Sequence, residues 1–530
     1  MRLVLATLLS ATLNGLAGRL VRVEVDVAPG LPGFTIVGLP DAALSEARER
    51  VRGALRNAGY HHPPRRITVN LAPAELRKAG ASLDLAIAIG ILLGSEQLRV
   101  GRGRVALIGE LGLGGEVRSV PGVLPMGLAL AAAGVRRVLV PAATLAEARL
   151  VPGLDAVGVA TVADAAEAVR APRTRRPVPA PLPRADGLAA LDAAATGERE
   201  PVAVPSSSSP VVDLAEVRGQ AVARRALEIA LAGSHPLLLI GPPGAGKTLL
   251  ARTIPTLLPD LDDDAALAAT VVASVAGAGP VTALVRRPPV RSPHHTVSYA
   301  GMIGGGPRMS PGEVTLADQG ILVCDELPEF GRDVLEALRQ PLEEGSVAVV
   351  RVGRAAVFPA RFTFVAAMNP CPCGMQGVED RACSCPPGVP ERYRRRISGP
   401  LRDRIDLWVA VGRVPPALLV GGPPPEGSTT VAARIAGARA RQRARSHEVP
   451  NGRIRGRQLR SICRLGGAET ARAVLLAERE GLSGRGTERL LRVARTIADL
   501  EGAEAVLAEH LDEAARFRAP AESATLARAG

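Results

Sequence analysis

The sequence predicts a multidomain α/β protein: an N-terminal α+β domain, a parallel-sheet α/β core and a C-terminal helical lid. Three observations predict it. Short apolar or alternating runs interleave with helical periodicities through residues 1–170. An apolar run, Leu237 to Ile240, feeds straight into a glycine-rich turn and then a helical segment. Beyond residue 413, apolar residues recur at helical spacing among many arginines. A chain of 530 residues has room for about three domains, each with its own core. With one Trp and three Tyr those cores must be aliphatic.

The first 170 residues read as a domain of their own. MRLVLATLLSATLNGLAG imitates a secretory signal, but it passes into RLVRVEVDVAPG, whose alternation of Val with charged residues is that of a half-buried strand. DAALSEARERVRGALRNAGY is an amphipathic helix opening at an Asp41 cap and closing near Gly59. RRITVNLAP is a strand, LDLAIAIGILLG a buried helix, and RVALIGEL and RRVLVPA two further strands. No phosphate loop, metal cluster or nucleophile elbow occurs here. Residues 171–210, APRTRRPVPAPLPRADG through EREPVAVPSSSSP, are too rich in Pro, Ser and Arg to bury a core and read as a tether separating two machines.

The second machine spans residues 211–412. Gly241-Pro242-Pro243-Gly244-Ala245-Gly246-Lys247-Thr248 matches G-x-x-x-x-G-K-[ST] at every fixed position, with a strand before it and a helix after it. In such a loop the backbone N–H groups turn inward on the β- and γ-phosphates of ATP. Lys247 adds a point charge there, and the Thr248 hydroxyl is placed to ligate Mg²⁺. GILVCDE supplies the other half: a buried strand ends in Asp325, for the Mg²⁺ shell, and Glu326, to polarise the attacking water. Hydrolysis of ATP is the chemistry these residues predict. LEEGSVAVVRVGRAAVFPARF reads as a hairpin with Arg351 and Arg354 at its tip, and FTFVAAMNP as the next strand.

Other residues leave alternatives open. The acidic turn PDLDDDAAL reads as solvated. His294 and His295 are adjacent, so they cannot both face one metal from a regular element, and no carboxylate lies near them in that run. Cys371, Cys373, Cys383 and Cys385 form C-x-C-x₉-C-x-C; four thiolates could hold a structural Zn²⁺, or remain reduced thiols or a redox-labile pair. Six cysteines in so long a chain make no disulfide scaffold and suit a reducing cytosol. A net charge of +13 favours a polyanionic partner, nucleic acid first, and no run of about twenty apolar residues predicts a membrane span.

GLPGFTIVGLPDAALSEARERVRGAL, RRITVNLAPAELRKAGASLDLAIAIGIL and GGEVRSVPGV, with the phosphate loop, the Asp-Glu pair, DRID and SGRGTERLLRVARTIADL in that order, resemble the ComM/YifB family of magnesium-chelatase-like AAA+ ATPases. The resemblance implies an N-terminal domain folded like the Lon protease domain, with Ser82 where the protease has its nucleophile. GGEVRSVPGVLPMG, which matches the segment carrying the protease's lysine, has no lysine, so a Ser-Lys mechanism lacks its base and Ser82 is read as a helix-start residue. The resemblance also implies that Val217 to Gln220 border the nucleotide and that Asn369 is the first sensor. It makes Arg404 the finger reaching a neighbour's γ-phosphate and Arg485, with Arg489 behind it, the second sensor on a lid of residues 413–530. The assembly implied is a hexameric ring that moves on single-stranded or branched DNA without sequence specificity. Arg351 and Arg354 would then meet the DNA backbone in the channel, and Arg286, Arg287, Arg291 and Arg308 would lie on a pore-facing insertion. A magnesium-chelatase motor subunit and a nucleotide-gated scaffold are the competing readings.

Overall fold

In the computed structural model, Val21, Val23, Val25 and Val27 all face a core, as their alternation with charged residues requires. The structure describes residues 5–170 and 212–518, apart from positions 40, 42, 43, 45, 79, 100–104, 278, 307, 308, 352, 353, 379, 380, 447 and 448. The expected tether therefore lies outside the described residues. The valines belong to β2 (Ala17–Ala28), which pairs antiparallel with β1 (Ala6–Asn14) and β4 (Arg66–Ala72). With β3 (Gly33–Val37), β5 (Val105–Leu107), β8 (Arg137–Pro141) and β9 (Asp155–Val159) they form a seven-stranded mixed sheet of order β3-β4-β2-β1-β5-β8-β9. A short antiparallel pair, β6 (Glu110–Leu111) and β7 (Val117–Arg118), stands beside it. The signal-like N-terminal run thus forms β1, in the middle of the sheet.

The helix Asp84–Gly94 is buried at every position, as its unbroken apolar run predicts. Ser82 stands at the start of this helix, one residue before its cap. The residue capping this helix is Leu83, with no side-chain cap, and the Ser82 hydroxyl instead donates to the Ala11 carbonyl at 3.1 Å. It ties helix start to β1 rather than capping anything.

The second region is a five-stranded sheet, all parallel, in the order β11-β14-β17-β10-β18. These strands are β10 (Leu237–Ile240), β11 (Val290–Arg291), β14 (Ile321–Cys324), β17 (Thr363–Met368) and β18 (Leu407–Ala410). Two antiparallel pairs decorate it: β12 (Gly304–Gly305) with β13 (Ser310–Pro311), and β15 (Ser346–Arg351) with β16 (Arg354–Pro359). Because β10, β17 and β14 are neighbours and parallel, their carboxyl ends open onto one crevice, where open α/β sheets place their ligands.

The C-terminal region is helical, as expected: Ser428–Ser446, Gly456–Cys463, Gly467–Arg479, Gly484–Glu501 and Ala508–Arg516. The expected boundary at 412/413 does not divide two cores, however. Val431, Ile435, Leu490, Ile497 and Leu511 share one apolar cluster with Leu227, Ile229 and Leu239 of the sheet region. A buried polar hub crosses the same seam: His235 shares hydrogen bonds with Asp406 at 2.8 Å and Thr496 at 2.7 Å. The basic helix Ser428–Ser446 directs its arginines inward, Arg434 onto Glu228 at 2.5 Å and Arg445 onto Asp499 at 2.7 Å.

The two machines also touch. The helix Asp263–Ala276 lies against the helix Val123–Ala132, with Leu267 and Val271 on the N-terminal core. Ser274 donates to the buried Glu147 carboxylate at 2.5 Å, and the β1–β2 turn at Gly15 and Leu16 packs on Ala356 and Phe358 of the β15–β16 hairpin. The acidic turn before that helix is not merely solvated. Asp262 caps the helix, while Asp263 and Asp260 pair with Arg286 and Arg287. Among the described residues, no helix is long and apolar enough to cross a membrane.

Candidate nucleotide site

Gly241 to Thr248 lie at the crevice between the ends of β10 and β17. Gly244 and Gly246 hold left-handed backbone, φ +78° and +92°, and a Cβ at either would meet nothing within 4 Å. The loop therefore bends as only glycine does cheaply, with open space over it where a phosphate fits. Lys247 is buried, its ammonium donating to the Gly241 carbonyl at 2.6 Å, the Pro242 carbonyl at 3.0 Å and Asn369 Oδ1 at 3.1 Å. Burial holds its pKa below the usual lysine value, against the attraction of Asp325 and Glu326.

Thr248 Oγ1 donates to Asp325 Oδ2 at 2.7 Å. A hydroxyl and a carboxylate in contact form a hard-oxygen pair suited to Mg²⁺, so these two sequence-predicted ligands fit the ion. Asp325 Oδ1 accepts from the Glu326 N–H at 2.9 Å, and Glu326 itself holds left-handed backbone, φ +52°. Its carboxylate stands 3.6 Å from His295 Nδ1. The sequence showed no carboxylate near the histidine pair; the fold brings Glu326 to it from β14. His294 stacks on His295 with ring centroids 4.1 Å apart.

A pocket of about 410 Å³ opens beside the loop, between Pro243 to Gly246 on one side and Val217, Arg218, Gln220, Arg413, Val414 and Leu419 on the other. Gln220 spans it at the base, donating to the Ala245 carbonyl at 3.0 Å and the Gly412 carbonyl at 2.6 Å. Val217, Arg218 and Gln220, from the segment expected to border the nucleotide, line this pocket. Arg413, Val414 and Leu419 were missed, since they fall in a stretch that reads as a Pro/Gly connection.

Arg404 is not in this pocket. It lines a second cleft with Glu336, Arg339 and Glu343, donates to the Pro400 carbonyl at 2.5 Å and forms an ion pair with Glu343. That hydrogen bond from Arg404 holds the Glu343 carboxyl below its ordinary range, and the Arg485 charge adds to the effect. Arg485 and Arg404 thus act on the same carboxylate. Arg489, the runner-up for the second sensor, is buried and donates to the Asp403 carbonyl at 2.5 Å, a structural tie.

The arginines of the insertion divide. Arg291 forms a fork on Glu313, at 2.7 and 2.8 Å, and is two-thirds or more shielded from solvent, so a phosphate would have to displace a bidentate carboxylate. The pairs of Arg286 and Arg287 are exposed and weak. Arg308 lies outside the described residues. Arg351 and Arg354 pair in register at the turn end of the β15–β16 hairpin; their side chains are outside the described set.

Just past β17 the four cysteines gather. Sγ of Cys371 lies 3.3 Å from that of Cys373 and 3.7 Å from that of Cys383, and Cys373 is 3.5 Å from Cys383. With Cys385, all four sulfurs stand within 4.8 Å of one another.

Comparison with known proteins follows this geometry. Residues 213–419 match the family model for magnesium chelatase, subunit ChlI; residues 23–144 match one for subunit ChlI of Mg-chelatase; and residues 425–518 match one for the ChlI C-terminal region. The chain is 40% identical over 502 residues to the YifB protein of Escherichia coli K12, covering 94% of each. It is 39% identical over 518 residues to the competence protein ComM of Haemophilus influenzae, covering 97% of each. It is 41% identical over 515 residues to a protein of Mycobacterium tuberculosis H37Rv, covering 96% of this chain and 97% of that one. A phosphate loop bonded to Asp325 and Asn369, matched by relatives along nearly the whole chain, places this protein in the ComM/YifB family of magnesium-chelatase-like AAA+ ATPases.

Proposed function

We propose that this protein is a cytoplasmic, DNA-acting ring motor, a helicase or translocase that uses ATP to drive branch migration in DNA recombination and natural transformation. One observation carries the reading. Two bonds close on the loop, Lys247 to Asn369 and Thr248 to Asp325, whereas Arg404 is tied to Glu343 in a separate cleft. Arg404 therefore completes the site of a neighbouring subunit, and Arg485, acting on the same Glu343, belongs to that face as well. Hydrolysis is then a property of a closed head-to-tail ring, hexameric by family likeness.

Within one protomer, Lys247 and the loop N–H groups bind the phosphates, Thr248 and Asp325 hold the Mg²⁺, Asn369 orients the attacking water and Glu326 takes its proton. A Mg²⁺ held by Thr248 and Asp325 would supply positive charge to offset that of the phosphates. The net charge of +13 and the Arg351 and Arg354 register at a hairpin end support contact with a nucleic-acid backbone. The competence name borne by a relative supports the biological setting. The N-terminal domain is read as Lon-protease-like and catalytically inactive, in line with a Ser82 hydroxyl committed to Ala11. Zn²⁺ is the ion that fits four clustered thiolates.

The test is the ATPase rate of purified protein alone and with single-stranded, duplex and branched DNA, beside the same assay with magnesium-chelatase partner subunits and a porphyrin. DNA should stimulate, and its affinity should fall steeply with salt. Stimulation by the chelatase partners and not by DNA would transfer the protein to the competing reading.

A further inference from the structure

Four features of the cysteine loop converge on the nucleotide site. The sulfurs stand 3.3 to 3.7 Å apart where they touch, much farther than the roughly 2.05 Å of a disulfide. They lie close to the ~3.8 Å edge that four sulfurs make around one Zn²⁺ at about 2.3 Å in a tetrahedron. Residues 371–388 have no helix or strand among their described positions, and so long a segment inside a folded domain needs a staple. Cys371 is buried and follows Asn369 by one residue, Pro370, so fixing its sulfur fixes the backbone that carries the sensor amide on Lys247.

The fourth feature is a direct contact. Gly374, inside the cysteine loop, has φ +77°, and a Cβ there would fall 2.4 Å from Cδ and 2.8 Å from Cγ of Pro243. Pro243 is part of the phosphate loop and lines the pocket beside it. The cysteine loop therefore leans on the phosphate loop with backbone against ring, with no side chain between. On its far side Arg394 donates to Gln376 Oε1 at 3.3 Å, which closes the loop against the helix Val389–Arg394.

We propose that Cys371, Cys373, Cys383 and Cys385 bind one Zn²⁺, and that the loaded knuckle braces the phosphate loop through Gly374 on Pro243 and through the Cys371 to Asn369 backbone, making nucleotide affinity depend on the metal. The inference rests on reading the cluster as a zinc centre. Zinc here takes no part in hydrolysis; it sets the shape of one wall of the ATP site. Metal loss loosens both the loop and the sensor while Thr248 and Asp325 keep their own bond.

The experiment uses the full chain, with zinc content, affinity for a fluorescent ATP analogue and hydrogen exchange of the Gly241 to Gly246 amides measured together. The wild type should carry one Zn²⁺ per chain. Chelation should weaken nucleotide binding roughly tenfold and speed loop exchange, and added Zn²⁺ should reverse both. A Cys373→Ser, Cys383→Ser double variant should lack zinc and show the weakened state, which added zinc cannot rescue. Gly374→Ala should keep its zinc and still lose affinity, because the new methyl pushes Pro243 aside; it also serves if the double variant does not fold. A wild type that neither carries nor takes up zinc overturns the zinc reading itself. A wild type that carries zinc yet binds nucleotide equally well without it overturns the brace alone, as does normal affinity in Gly374→Ala.

Discussion

The N-terminal domain and the ATPase region each bury a lysine, and the two lysines are built for opposite ends. Lys78 has no exposed surface, and its ammonium donates to the Pro73 carbonyl. Lys247 is held by three oxygens from three residues, one of them Asn369, with Asp325 and Glu326 close enough to favour its charge. Burial lowers the pKa of both. The neighbouring groups differ in where they gather: Ser82 ties to Ala11 and Asp84 to Arg50 and the Leu111 N–H at separate points of the sheet domain, whereas the Lys247–Asn369 and Thr248–Asp325 bonds meet at one loop, from the ends of three strands. What marks a site is convergence of polar groups from distant parts of the chain, not the burial of any one of them.

Lysine to methionine in each domain sharpens the comparison most. Lys247→Met should abolish nucleotide binding, read by a fluorescent ATP analogue, since Lys247 is the cation seated against the loop's own carbonyls. Lys78→Met should leave nucleotide binding untouched and change the thermal stability by about 1 kcal/mol, the scale of one replaced hydrogen bond. Equal effects on binding would erase the distinction.

Next in size, Arg404→Ala should lower turnover by roughly 10³-fold with nucleotide affinity preserved, as expected of a charge supplied across a subunit interface. Mixing Arg404→Ala subunits with Lys247→Met subunits should restore hydrolysis at the mixed interfaces; no recovery at any ratio counts against a site shared between subunits. Glu326→Gln should cost about 10²-fold or more in turnover, again without loss of binding. Hydrolysis unchanged in that variant would favour the scaffold reading. Ser82→Ala should leave the ATPase rate where it is, and a change in that rate would give the serine a role its bond to Ala11 does not supply.

How much could be read in advance follows from how local each feature is. The phosphate loop, the Asp325-Glu326 pair and the strand before Asn369 are short patterns whose residues sit together in sequence, and the fold brings the three together because parallel β10, β17 and β14 are adjacent. Arg413, Val414 and Leu419 were not legible, because they reach the pocket only when β18 returns alongside β10, a pairing no local pattern encodes. The pairing of His295 with Glu326 and the seat of Gly374 on Pro243 are hidden for the same reason. For Arg489, the runner-up for the second sensor, helical spacing could not show that the Asp403 and Ile405 carbonyls hold its guanidinium. The basic helix Ser428–Ser446 shows that net charge overstates a nucleic-acid surface when arginines serve as internal ties.

The remaining effect belongs to the sheet domain and to pH. Asp84 has no exposed side-chain surface and is paired with Arg50, Nε to Oδ2 at 2.7 Å. Burial still dominates and raises its pKa from 3.8 to about 6, against the pull of Arg50. Between those values the folded domain keeps a proton that the unfolded chain has released, so stability falls as pH rises from about 4 to about 6 and is level above that. The full change is at most roughly 3 kcal/mol, with the opposing pull of Arg50 already contained in that pKa. Asp84→Asn cannot titrate, so the difference in melting temperature between wild type and variant should itself shift across that window, in the variant's favour as pH rises. A difference that stays constant from pH 4 to pH 7 would mean that Arg50 keeps Asp84 ionised throughout. Asp84 would then be a convergent charged pair of the kind seen at Lys247, and the contrast between the two domains would narrow.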